Sequence, residues 1–115
     1  MSGIKMLLML GKKAITATVS PTSQVLSGLT TARTFSPTTV TVVGGTPSAY
    51  VWKHKNQSGL GTWSVNAGQG TATGTSRVTG VTAGDLSTAE FYCTVTVDGT
   101  DYDSESAAHS YENLN

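Results

Sequence analysis

From Ala14 to Ser20 the chain reads AITATVS, apolar and polar side chains in turn. Ile15, Ala17 and Val19 fall on one side, Thr16 and Thr18 on the other. That period of two is the mark of a half-buried strand, and Pro21 ends it. The same rule finds further strands. Residues 38–43, TTVTVV, are a β-branched run closed by Gly44-Gly45. In 48–54, SAYVWKH, Tyr50, Trp52 and His54 share one face, Val51 and Lys53 the other. TWSVN, 62–66, sets Trp63 beside Val65 before Gly68 and Gly70 break the run. TATGTSRVTGV, 71–81, reads as a polar strand with a bulge at Gly74. FYCTVTV, 91–97, turns Phe91, Cys93, Val95 and Val97 inward and Tyr92, Thr94 and Thr96 outward. Asp98-Gly99 is a two-residue hairpin signal, because both positions of a type I′ turn need positive φ. TDYDSESAAHSY, 100–111, is the returning strand.

Between these runs, residues 21–37 read as a loop or a broken edge strand with Phe35 tucked inward. Residues 55–61 read as a loop, and 82–91 as the crossing between two sheets. No stretch carries a helical period and nothing repeats. Seven or so short strands separated by frequent turn signals predict an all-β fold, a two-sheet sandwich. Each strand has one inward face, and two sheets bury those faces against each other. The predicted core is Val40, Val42, Tyr50, Trp52, Phe91, Cys93 and Val95.

Composition agrees. The 115 residues are 37% hydrophobic and only 12% charged, and much of the rest is Thr, Ser and Gly, which suits strands and turns better than helices. The length fits one domain. Formal net charge is zero, but every Lys and Arg (Lys5 to Arg77) precedes every acid (Asp85 to Glu112). Such asymmetry can steer copies into a fixed register. With no Arg cluster and no aromatic-basic interleaving, no nucleic-acid partner is expected. Cys93 is the single cysteine. It excludes an internal disulfide and a thiolate metal cluster, and reads as a buried free thiol.

Residues 1–13 stand apart. Ile4, Met6, Leu7, Leu8, Met9 and Leu10 are apolar, broken only by Lys5 and followed by Lys12 and Lys13. The run is shorter than the roughly 20 residues of a membrane span, so no membrane partner is expected. A secretory signal would put its basic residues first and a small-residue cleavage site last. The segment is expected to stay on a chain made in a cytoplasm. Met6 to Leu10 are apolar on both faces, and burying each large side chain is worth roughly 1.5–3 kcal/mol. Residues 1–13 are therefore expected to be an assembly arm that packs on another copy or a larger shell, and residues 14–115 the sandwich domain.

Over residues 38–110 the chain resembles immunoglobulin-like modules. AEFYC, 89–93, is similar to the Ala-x-Tyr-Tyr-Cys segment of Ig F strands, and Trp52 stands where the core tryptophan would. TVTVVGGTPSAYVWK is similar to a strand B–C segment of bacterial and phage Ig-like or PKD-type modules. The partner cysteine is absent, with Val40 or Val42 in its place. Phe91 stands where the corner tyrosine would, so that corner hydrogen bond is missing. The pairing of an apolar N-terminus with a Thr/Gly-rich Ig-like module also resembles small tailed-phage virion proteins. The resemblance implies a non-enzymatic virion component, made in a bacterial host, in capsid decoration or a tail or tail fibre. Its expected partners are other virion proteins and further copies of itself.

Candidate chemistry is sparse. His54 and His109 lie in different segments without carboxylates at ligand spacing, and each reads as a surface residue of its strand. HExxH, a phosphate loop ahead of a helix, and G-x-S-x-G are all missing. Asp98, Asp101, Asp103 and Glu105 could offer oxygen to Ca²⁺, but Asp101 and Asp103 share one strand face, and a solvated acidic hairpin is the simpler expectation. No metal or cofactor is expected. Trp63, Tyr92, Tyr102 and Tyr111 could form an exposed aromatic face. Trp63, Tyr92 and Tyr102 are the candidates for an alternative role in binding a host-surface glycan.

Overall fold

A computed structural model describes residues 14–115, and these form ten strands. They are β1 (Thr16–Ser20), β2 (Ser23–Gly28), β3 (Arg33–Thr34), β4 (Thr38–Val43) and β5 (Ala49–Ser58), then β6 (Thr62–Ala67), β7 (Thr73–Thr79), β8 (Leu86–Val97), β9 (Thr100–Asp103) and β10 (Ala107–Asn113). Among the described residues there is no helix. The expected all-β sandwich is present, with ten strands in place of about seven.

One sheet runs β1-β4-β7, with β6 on the far side of β7. Because β6 takes one side of β7, β3 and β4 share the other, as two halves of one interrupted strand. The second sheet runs β2-β10-β8-β5. β9 and β10 lie end to end along β8, opposite β5. Every pairing is antiparallel except β2 with β10.

Four boundaries differ from the sequence reading. Residues 21–37 hold β2 and β3, and Phe35 is buried as expected. β2 has weak alternation, and its ladder is completed by β10, about 85 residues away. β5 continues to Ser58 through a bulge after Lys55, where Asn56 has φ 53°. β8 begins at Leu86, so the crossing shrinks to residues 80–85. The returning strand is split at 104–106: Ser104 N–H donates to Cys93 O (2.8 Å), and Ser104 Oγ accepts from Cys93 N–H (3.0 Å).

The Asp98-Gly99 turn is as expected, with φ of 50° and 77°. Gly74 carries no bulge. It is in register with Thr38, and the irregularity lies on β6 between Val65 and Ala67. Gly74 is needed for space: a Cβ there would sit 2.6 Å from the Trp52 ring.

The core lies between the sheets in two clusters. Val40, Trp52, Phe91, Cys93 and Val95 belong to the first, and all are buried. Val42 and Tyr50, also predicted as core, are half-buried at its rim. Phe35, Trp63, Val78, Val81, Ala89 and Tyr111 form the second.

Two open strand edges, those of β5 and β1, are stopped by side chains acting as short strands. The Gln69 amide bonds both the N–H and the C=O of Trp52 (2.8 and 2.9 Å) on the outer edge of β5. Gln24 makes the same pair of bonds to Ser36, in the link between β3 and β4, at 3.0 and 2.9 Å. Glu105 gives its N–H to Ala17 O (3.0 Å) and takes the Val19 N–H on its carboxylate (2.9 Å). Each joins one sheet to the other, and the Gln69 and Glu105 bonds also occupy edge backbone groups that would template pairing with another chain.

Candidate functional site

The groups with chemical potential converge inside the sandwich. β5 carries Trp52 and His54 on its inner face, β8 carries Phe91, β10 carries His109, and β6 carries Trp63. Ring centroids are 4.8 Å apart for Trp52–Phe91 and His54–Phe91, and 5.5 Å for Phe91–His109. His109 lies flat on Phe35, 4.5 Å away with 3° between planes. The sequence placed the two histidines in separate segments, each on the surface. The fold reverses that: β5 and β10 flank β8, and both imidazoles turn inward onto Phe91. His109 is buried and His54 half-buried.

Their chemistry follows from that burial. His54 Nε2 lies 2.7 Å from Ser76 Oγ. Both ring nitrogens of His109 are buried without a partner. Desolvation lowers the His54 pKa to about 4. His109 is also lowered to about 4, first by desolvation and then by repulsion from a charged His54. Both rings are neutral at physiological pH. Both rings pack within the aromatic cluster around Phe91.

Cys93 is fully buried beside Trp52 in the first cluster. Burial leads the causes that raise its pKa to about 11, which keeps a thiol rather than a thiolate at neutral pH. It fills space as the sequence anticipated.

The candidate aromatic face is not on the surface. Trp63 is 7% exposed, packs on Phe35 at 5.3 Å and donates from Nε1 to Ser87 Oγ (2.9 Å). Tyr111 is buried and donates its hydroxyl to Thr30 O (2.6 Å). Tyr102 pairs with Val95, faces inward and packs half-buried against the first cluster. Only Tyr92 faces outward, half-buried, with Lys55 Nζ 4.6 Å above its ring. Alternation shows which side chains share a face. It does not show which face turns inward on a short strand such as β6.

The acidic hairpin is committed locally. Thr96 Oγ1 donates to Asp101 (2.7 Å) and Thr94 Oγ1 to Asp103 (2.6 Å), while Glu105 holds β1. Among the described residues, no three His, Cys, Asp or Glu side chains gather where they could hold a metal ion. No helix there is long and apolar enough to cross a membrane. The candidate arm Ile4, Met6, Leu7, Leu8, Met9 and Leu10 lies outside the described residues.

Sequence reasoning missed one surface feature. Val25, Leu29, Leu86 and Leu114 are all more than half exposed at one end of the sandwich. They come from three remote segments, so no local pattern announces them. No family model, curated protein or solved structure matches this chain.

Proposed function

We propose that the protein is a non-enzymatic structural component of a bacteriophage virion, held in the particle by residues 1–13 and presenting an Ig-like body. The observation that carries this reading is the division of labour along the chain. Residues 14–115 fill the space between both sheets with their own side chains, while Ile4–Leu10 offers a run too apolar for water. An apolar arm on a body with its own core suits a part that attaches and projects.

The strand order supports the Ig-like part. With β1, β4, β7 and β6 taken as A, B, E and D, and β5, β8 and β9/β10 as C, F and G, the order is the ABED and CFG of immunoglobulin-type sandwiches. The glycan-binding alternative loses support, since Trp63 is in the core and Tyr102 faces inward.

Deleting residues 1–12 should leave a folded body that no longer joins particles. Mass spectrometry of purified virions carrying each form reads the result. Full incorporation of the truncated chain would overturn the proposal.

A further inference from the structure

We infer that Asp98 is a site of spontaneous covalent modification: the Asp98-Gly99 pair closes to a succinimide and reopens as an isoaspartyl linkage at the tip of the β8–β9 hairpin. The inference stands on the described body alone and is independent of the virion reading.

The fold sets Asp98 apart from the other aspartates. The chain has four, at 85, 98, 101 and 103. Three have their carboxylates held by a hydroxyl: Asp85 by Thr82 Oγ1, Asp101 by Thr96 Oγ1 (2.7 Å) and Asp103 by Thr94 Oγ1 (2.6 Å). Among the described residues, no donor holds the Asp98 carboxylate, and the Gly99 N–H has no acceptor. Asp98, Gly99 and Thr100 are all exposed.

The residue that follows matters as much. Asp85, Asp101 and Asp103 precede Leu86, Tyr102 and Ser104, whose side chains crowd an attacking amide nitrogen. Asp98 precedes glycine, which has no Cβ to obstruct the attack. Nothing lies within 4 Å of the place where a Cβ of Gly99 would stand. Ring closure requires the turn to open for a moment, and a hairpin tip with nothing packed on it is where a chain opens most easily.

The reaction needs water alone. The Gly99 amide nitrogen forms a bond to Asp98 Cγ, and the carboxyl hydroxyl leaves with the amide proton as one water molecule. The five-membered ring then takes up water at either carbonyl. Breaking the bond from nitrogen to Cγ restores aspartate. Breaking the bond from nitrogen to the main-chain carbonyl carbon leaves the chain running through Cγ. The product has one more carbon in its main chain and a carboxylate on Cα. A type I′ turn takes two residues of ordinary length. The longer tip should therefore loosen the Val97–Thr100 pair and then Thr96–Asp101. Val97, buried in the first cluster, is the core residue nearest the change.

The test stores the full-length folded protein warm at neutral pH and samples it over time. Endoproteinase Asp-N cuts before aspartate and not before isoaspartate. Cutting before Asp98 should be lost progressively, while cutting before Asp85, Asp101 and Asp103 persists. Mass spectrometry should show a species lighter by one water, assigned to residues 98–99. Asp98→Asn should react several-fold faster, because ammonia then leaves in place of water, and each event makes the chain heavier by the difference between a carboxyl and an amide. Asp98→Gly keeps a residue suited to the turn and should abolish the reaction. Retained cutting before Asp98, or equal loss at all four aspartates, would overturn the inference. So would reaction in urea with none in the folded chain, which would mean that the turn holds the Gly99 nitrogen away from the carboxyl.

Discussion

His109 is a polar ring in an apolar place. Its nitrogens have no partner, and an unpartnered buried polar group costs about 1–3 kcal/mol. His109→Phe keeps the stack on Phe35 and removes that cost. Stability at pH 7 should rise by about 1–2 kcal/mol in urea unfolding. The pH dependence has a definite sign. Both histidines titrate near 6.5 when unfolded and near 4 when folded, so between those values the unfolded chain binds more protons. Their contribution is intact above about pH 6.5 and is lost as pH falls through 4. The loss reaches about 3 kcal/mol for each ring. In His109→Phe the fall in stability between pH 7 and pH 4 should be about half that of the parent. An unchanged fall would contradict the assignment.

At the scale of the element, β7 and β5 meet through Gly74 and Trp52. The indole of Trp52 is also fixed at its nitrogen, which donates to Thr71 O (2.9 Å). It cannot step aside for a new methyl group. Gly74→Ala should cost about 1–3 kcal/mol through overpacking, read as a lower denaturation midpoint with an unchanged m-value. A neutral result would mean that the ring relaxes freely. The sequence marked Gly74 as exceptional for a different reason, a bulge. A glycine inside a strand signals either irregular backbone or close approach, and only the packed neighbour separates these.

For the whole molecule, the two core clusters meet through His109, which stacks on Phe35 of one and lies against Phe91 of the other. Such a continuous interior should unfold as one unit. A fragment of residues 14–115 should show a single reversible transition, with a Tm within a few degrees of the full chain measured at low concentration. Two separate transitions would contradict the continuous interior, and a fragment without near-UV structure would show that the body depends on residues 1–13.

The alternation in β4, β5 and β8 carried the all-β architecture, the sandwich and most of the first cluster. These strands have strong apolar faces that no other packing satisfies. Asp98-Gly99 fixed its turn because few residues accept positive φ. Tertiary structure alone decided the rest. β2 is a strand because β10 supplies its ladder. Trp63, Tyr102 and Tyr111 turn inward because the opposite sheet is there to cover them. His54 and His109 become neighbours because β5 and β10 flank β8. Val25, Leu29, Leu86 and Leu114 become one surface by the same means. Local sequence sets the period of a strand and the identity of its turns, but which face is buried, and beside what, depends on contacts between segments far apart in the chain.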